Sequence, residues 1–492
     1  MEETINKISD ILNKEIFIEK VEDIIEVTYA YTESHYNKTL FYYFAWRKEN
    51  QDINETIKIT KEKLDKKIDI LKLSIEELKS LNSKEANFIL KSCKYAKSAL
   101  IMAYEAIEIE AGKFTKTNKN TKQTREKLDV ISQLDRKLFW WLVIENHKEI
   151  NKAFEFISTF YFELWKKERW VIDNFIKKVE VITWEEYKVK RLTRKLSSRT
   201  EFKSSLSKEI SQEKYIKIFQ NIFRIMWINM KIKIDNRSSI YDWTHALYFP
   251  KHLKSLPQYT IISLIAHEIE SHYVNMENWK KIFWKIQWGW KLEKEEGLAM
   301  YMEKLLEWWD ALSPLAYYSY FRTLVWEICH TQEAEEILAI VRKYKQIKQP
   351  KDISLRPKRN YIIEEIWTQH KDITYSRGFD KVIDYISEWN NFLDLFLWRS
   401  DFSDINFFKE MKDKKEAEEE KFNLIKPIFL GEFLLFVILN WYRFNSQKVI
   451  REFWKHLKNK YHFIDRETQE RLLELALIKY EWELKVTIKL LK

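Results

Sequence analysis

From Met1 to about residue 195 apolar residues recur at helical spacing, most plainly in "IDILKLSIEELKSLNSKEANFILKSCKYAKSALIMAYEAIEIE". Positions three and four apart share one face of an α-helix, so the pattern predicts amphipathic helices. A polar stretch, "KFTKTNKNTKQTREK", divides this region and predicts a loop or insert. Near residue 196 the pattern changes. In "INMKIKIDNRSSI", Met230, Ile232 and Ile234 alternate with lysines, which predicts a strand ended by an Asp-Asn turn. "HALYFPKHL" reads as a second short strand, stopped by Pro250. "YTIISLIAHEIESHYVNM" then reads as a strongly apolar helix, and "KQIKQPKDISLRPKRN" as a basic linker or loop. Towards the carboxy end, "KEMKDKKEAEEEKF" predicts a solvated helix face. In "IFLGEFLLFVILNWYRF", Glu432 interrupts the apolar run, and Phe433 to Leu439 falls far short of the ~20 residues that span a bilayer. That segment reads as a buried helix. No internal repeat is visible, and the pattern divides the chain into a helical region 1–195, a mixed region 196–400 and a helical region 401–492.

The bulk numbers fit a folded, soluble chain: 492 residues, 45% hydrophobic and 33% charged. "MEETINKISD" is followed by no apolar segment, so no secretory signal is expected. Cys93 and Cys329 stand far apart without CxxC spacing, which argues against a disulfide framework or a thiolate zinc site and points to the cytoplasm. A net charge of +10 favours acidic partners in general. The lysines and arginines are nevertheless scattered among 75 acidic residues, so neither nucleic acid nor a membrane is an expected partner.

One anomaly changes the picture. Glycine occurs 5 times in 492 residues, against an average of about 7%, while tryptophan occurs 21 times. Asp242-Trp243 and Asn278-Trp279 stand where Asp-Gly and Asn-Gly turns would read naturally, and Trp288-Gly289-Trp290 resembles a glycine-rich loop. Some bacteria read UGA as glycine, so a table assigning it to tryptophan would produce this composition. Aromatics filling cores and interfaces are the plainer account. The turn positions favour recoding, and the codons at these positions decide it.

The chemistry concentrates in "LIAHEIESHYVNMENWKKIFWKIQWGWKLEKEEGLAMYMEKL". His267, Glu268 and His272 form HExxxH. Histidines four apart fall on one helical face, but five apart they diverge by about 140° on a regular α-helix. Both reach one metal ion only if the helix widens, as at a π-bulge, or ends near His272. Zinc in a hydrolase takes three protein ligands and keeps one position open. The third ligand is sought in "EKEEGLAMYMEKL", which offers Glu295 and Glu296, while Glu268 is suited to be the general base. A histidine on an apolar helix is ordinarily a satisfied core residue, and acids at a helix start are common. A chance HExxxH in a chain of this length is roughly a 2% event, so the combination favours a metal site.

The order HEIxxH, a spacer beginning near Asn278, then EEGLA resembles the zinc metallopeptidases that include the microtubule-associated tyrosine carboxypeptidases. Their bacterial relatives carry a QEGLA motif and are described as tyrosine/phenylalanine carboxypeptidase domains. "KDITYSRGF" is similar to that family's KDxxYxxG segment, and the resemblance covers about residues 150 to 400. It implies a zincin-like α+β fold, predominantly helical, with a small sheet beside the HExxxH helix. It also implies Zn2+ held by His267, His272 and Glu296, with Glu268 as base and Glu295 as a neighbour of the ligands. Two departures stand out: Glu270 replaces the family's usual glycine, and "YVNMEN" lacks its arginine after the second histidine.

The function expected on this basis is zinc-dependent removal of a carboxy-terminal residue from a peptide or protein. A carboxypeptidase needs a cation for the free α-carboxylate. Lys371, Tyr375 and Arg377 are the candidates, sharing one face if "KDITYSRGF" runs as a strand, and Tyr375 is also suited to an oxyanion. The alternatives are an endo- or aminopeptidase on the same site, or a non-catalytic regulatory or binding protein that keeps the scaffold.

Overall fold

The computed structural model describes residues 1–16, 29–30, 41–42, 53–114, 208–235, 241–242, 246–251, 253–283, 285, 292–307, 373–388, 390–397, 401–419, 422–439, 449, 451–453, 455 and 479–492. The described chain is mostly helical with small sheets, an α+β architecture. It divides into two compact units. One gathers Met1–Thr193, Trp284–Trp290 and Ser319–Ser376, the other Arg194–Phe283, Lys291–Tyr318 and Arg377–Lys492.

In the first unit, α1 (Glu2–Glu15) packs on α2 (Ile53–Lys79), which pairs with α3 (Lys84–Phe114). The periodic apolar residues of α2 become its buried stripe: Leu64, Ile68, Leu71, Ile75 and Leu78. Four residues separate α2 from α3, and there the Ala86 N–H donates to Ser83 Oγ at 3.0 Å. That is an N-cap, and it explains why "NSKEA" starts a new helix. Cys93 lies buried on α3, where burial pushes its thiol up to about 12. The two-residue strands β1 (Tyr29–Ala30) and β2 (Phe41–Tyr42) pair antiparallel. The polar insert after Phe114, Cys329 and the basic stretch near residue 350 lie outside the described residues.

The second unit carries the motif. Here β3 (Glu209–Ser211) leads into α4 (Gln212–Ile225), followed by β4 (Lys231–Asp235), β5 (Tyr241–Asp242), β6 (Ala246–Pro250) and β7 (Ser255–Pro257). β4 runs parallel to the central strand β6, and β5 antiparallel to it. The lysine-alternating run is therefore an outer strand, and the fully buried run is the middle one, as their patterns require. Tyr215 and Phe219 of α4 set their rings 4.9 and 5.2 Å from that of Phe249, fastening the sheet to the helix. β7 pairs with β3 and ends at Pro257, where α5 (Gln258–Leu264) begins.

The chain then passes without a break through a nine-residue π-helix, Ile265–Tyr273, into α6 (Val274–Ile282). After α7 (Leu292–Glu307) and α8 (Ile373–Ser387) come short 3-10 turns, α9 (Ile405–Glu418), α10 (Leu430–Leu439) and α11 (Glu481–Leu491). From Lys409 to Glu418 every residue of α9 is exposed or half-buried, as the charge run predicts. α10 is buried from Leu430 to Val437, and no helix of the described residues is long and apolar enough to cross a membrane.

Two expectations are corrected. Asn278-Trp279 is not a turn but part of α6, where Trp279 is fully buried with its ring 5.7 Å from Phe283 and 5.2 Å from Phe408. Asn278 takes its partners from the segment beyond α9: its amide donates to Ile425 O at 2.8 Å, and Ile425 N–H donates back to its Oδ1 at 2.7 Å. Tertiary pairing satisfied the residue that local reading assigned to a turn. Likewise "KDITYSRGF" is no strand. From Ile373 onward it is helical, because over the longer window Phe379 and Val382 continue an apolar stripe of helical period.

Glycine's freedom is required at a different tryptophan. Trp227 has φ 52°, just past the end of α4. Ile228 N–H donates to Phe223 O at 2.7 Å and Trp227 N–H to Arg224 O at 3.2 Å. These are the two bonds of a Schellman ending, whose left-handed position is usually glycine. An L side chain there costs about 1–2 kcal/mol. The exposed indole regains part of that against the Tyr480 ring, 5.8 Å away. Chemical denaturation is expected to show Trp227→Gly stabilising the chain by about 1 kcal/mol, and Trp279→Gly destabilising it by about 3–5 kcal/mol through the cavity left behind. Destabilisation by both would make tryptophan the fitted residue at each position.

Candidate metal centre

A regular α-helix would turn His267 and His272 away from each other. The π-helix prevents this, because its i→i+5 hydrogen bonding stacks residues five apart as an α-helix stacks those four apart. Their Nε2 atoms stand 3.2 Å apart, with the rings edge-to-face at 75°. The third donor comes from α7, whose Glu296 Oε2 lies 3.7 Å from each Nε2. Glu268, beside His267 on the π-helix, puts Oε1 4.0 Å from His267 Nε2.

The three donor atoms form a nearly equilateral triangle. A point equidistant from them lies about 2.1 Å from each, which is the length of a zinc–imidazole or zinc–carboxylate bond. Two imidazole nitrogens facing each other at 3.2 Å repel when both are lone pairs, and a cation between them removes that repulsion. His267, His272 and Glu296 thus form a possible metal-binding triad, and the chemistry of the donor set fits zinc.

The far nitrogens are engaged as well. His272 Nδ1 lies 3.1 Å from Glu295 Oε1, and His267 Nδ1 is hydrogen-bonded to Glu303 Oε1. α7 places these groups by its own period: Glu296 and Glu303 are seven residues, two turns, apart and share a face, while Glu295 reaches round from the adjoining position. Glu295 and Glu303 are buried. Glu303 escapes a motif search, although its seven-residue offset from Glu296 was available as a signal.

The surrounding charges decide protonation in the metal-free chain. Burial works against protonating His267, but the Glu303 carboxylate outweighs it and raises the pKa. For His272 burial again opposes protonation, and hydrogen bonds and charge from Glu295 and Glu296 push it up to about 10. Burial resists ionising Glu296, yet the neighbouring imidazoles, His272 first, hold it down at about 2.

Glu270, between the two histidines, has a structural task. Its carboxylate accepts from the N–H groups of Leu430, at 2.8 Å, and Gly431, at 3.0 Å. α10 begins after Phe429, which has φ 55° and offers no capping side chain, so its open N–H groups are served from the π-helix. Burial raises Glu270 to about 7, partly offset by those backbone donors.

The glycines of EEGLA and KDITYSRGF also meet. A Cβ on Gly297 would stand 2.1 Å from Gly378 C, and one on Gly378 would stand 1.9 Å from Glu293 O. Only glycine at both positions lets α7 and α8 approach so closely. Of the substrate-binding candidates, Lys371 lies outside the described residues, and of Arg377 only the backbone in α8 is described. Tyr375 is half-buried. Positions 375 and 377 are about 200° apart around a helix, so they do not share the face that a strand would have given them. Tyr375, three residues before Gly378, lies on that glycine's side of α8.

No protein-family model matches the chain, and comparison with the curated proteins finds no significant match.

Metal analysis after dialysis is expected to find one bound divalent ion per chain, lost in His267→Ala and in His272→Ala. With its pKa raised to about 10, His272 is protonated at pH 7 in the metal-free chain and must lose that proton to bind metal as a neutral imidazole, and the upward shift of His267 acts in the same direction. Binding should therefore release about one proton or more and weaken as pH falls. Calorimetry in buffers of different ionisation heat measures that release, and a signal independent of buffer would contradict it.

Proposed function

We propose that this chain is a zinc-dependent peptidase with a zincin-like catalytic centre, acting as a carboxypeptidase. The observation that carries the reading is the convergence of His267 Nε2, His272 Nε2 and Glu296 Oε2 beside the Glu268 carboxylate. Two imidazoles and one carboxylate leave a fourth position free, the arrangement of a catalytic rather than a purely structural zinc. Zinc bound there supplies Lewis acidity to the scissile carbonyl.

The other steps fall to the chain's own residues. Glu268 lies on the donor side of His267, so its carboxylate accepts the proton of the attacking water and then delivers it to the leaving amine. The burial of Glu268, His267 and His272 keeps competing water away and strengthens each electrostatic contact. His267 and His272 hold the donor triangle, and Glu296 completes it. The exopeptidase part rests on "KDITYSRGF": the Gly297–Gly378 contact ties α8 to the helix of Glu296, within the cluster's neighbourhood. By residue type Tyr375 would suit an oxyanion, and Lys371 or Arg377 would take the α-carboxylate. The substrate is then the carboxy terminus of a peptide or protein.

Glu268→Gln keeps the side chain's shape but removes its proton-accepting charge. It is expected to retain zinc and lose at least about a hundredfold in kcat on a peptide panel; retained turnover would take Glu268 out of the mechanism. Peptides with free carboxy termini should be cleaved and their amidated counterparts spared. Equal cleavage of both would make the enzyme an endo- or aminopeptidase, and zinc without turnover on any peptide would favour a binding scaffold.

A further inference from the structure

Glu303 is a further carboxylate of α7 at the cluster, and neither the HExxxH nor the EEGLA motif contains it. It is fully buried, and its Oε1 is hydrogen-bonded to His267 Nδ1. On the other imidazole Glu295 stands in the same relation, 3.1 Å from His272 Nδ1. Each histidine that offers Nε2 to the donor triangle is thus held at its opposite nitrogen by its own glutamate.

We propose that Glu303 is the positioning residue of His267, acting with Glu295 on His272 to fix which nitrogen of each ring faces the metal. The inference rests on the metal-centre reading. A neutral imidazole carries its proton on one nitrogen only, and the other is left to bind a metal. A carboxylate at Nδ1 keeps the proton there, donated to the glutamate, and leaves the Nε2 lone pair directed at the triangle. It also stops the ring from rotating about its Cβ–Cγ bond, which would move Nε2 out of a triangle whose sides are 3.2 to 3.7 Å. The complete site pattern is therefore HExxxH with EExxxxxxE, and its last residue comes from the same face of α7 as the Glu296 ligand.

The arrangement has a reason beyond pairing. A buried carboxylate without a donor is costly, and Glu303 lies in a fully buried part of α7 that would ordinarily take an apolar residue. Leu298, Ala299, Met302, Leu305 and Leu306 fill the neighbouring buried positions with apolar groups. A glutamate among them is explained by its partner, His267.

The test is zinc affinity measured by chelator competition on the folded, full-length chain, with parent, Glu303→Ala and Glu303→Gln compared. Loss of such a histidine partner typically weakens metal binding about 10- to 100-fold, and Glu303→Ala is expected within that range. Glu303→Gln, whose amide oxygen still accepts from Nδ1, should fall between it and the parent. Nitrogen-15 NMR of the zinc-loaded protein reads the tautomer directly: His267 should carry its proton on Nδ1 in the parent, a signature that a merely space-filling Glu303 would not set. Affinity within about twofold of the parent in both variants, or a His267 proton absent from Nδ1, would overturn the proposal. Should Glu303→Ala not fold, Glu303→Gln and the parent spectrum still decide. A parent that binds no zinc would bring down the metal reading itself, a result distinct from either of these.

Discussion

Everything at the centre depends on the five-residue spacing of His267 and His272. An α-helix would send the two rings about 140° apart, and the chain resolves this with π-helical geometry from Ile265 to Tyr273. Such geometry is uncommon and appears mostly as single turns, frequently at functional sites. It persists here because the flanking packing over-determines it. α5 leads in directly from β7, α6 follows with Trp279 and Asn278 locked against later segments, and Glu270 ties the π-helix to the start of α10.

The second constraint is charge satisfaction in a buried interior. His267, Glu268, Glu270, His272, Glu295 and Glu303 are all buried, yet each carries or shares a polar partner. The residues divide into two jobs. Glu270 serves the fold by supplying a cap that the sequence around Phe429 does not contain. The others surround a point where three donor atoms meet, and that point carries the proposed chemistry. Glu270 therefore bears on the joint between two helices and lies outside the donor set.

Local reading succeeded where a single element's own period decides the outcome. The apolar stripe of α2, the buried run of α10 and the strands β4 and β6 follow from spacing along one segment, and of the two ways HExxxH could bring its histidines together, a widened helix or a helix end, the chain takes the first. It failed where a short window admits two periods or where a partner lies far along the chain. "KDITYSRGF" alternates over seven residues but is helical over fifteen. Asn278-Trp279 has the form of a turn, yet Asn278 is satisfied by Ile425 and Trp279 by Phe408. The glycine deficit is legible in composition, but where a left-handed backbone is demanded is not: among the described residues the demand falls at Phe429 and at Trp227, the latter just past a helix end whose location only hydrogen bonding defines.

The sequence by itself determined a mostly helical α+β chain, and it marked His267, Glu268, His272 and the Glu295-Glu296 pair as one chemical group. Those are statements about spacing and residue type, which a linear chain carries in full. Tertiary structure alone decided that Glu296 faces the two histidines while Glu295 braces one of them, because adjacent helical positions differ by 100° and the choice needs the neighbouring helix in place. It alone brought Glu303 to His267, Glu270 to α10, and Gly378 against Gly297. Each is a contact between residues far apart in the chain, made only once the backbone has brought their elements within a few ångströms.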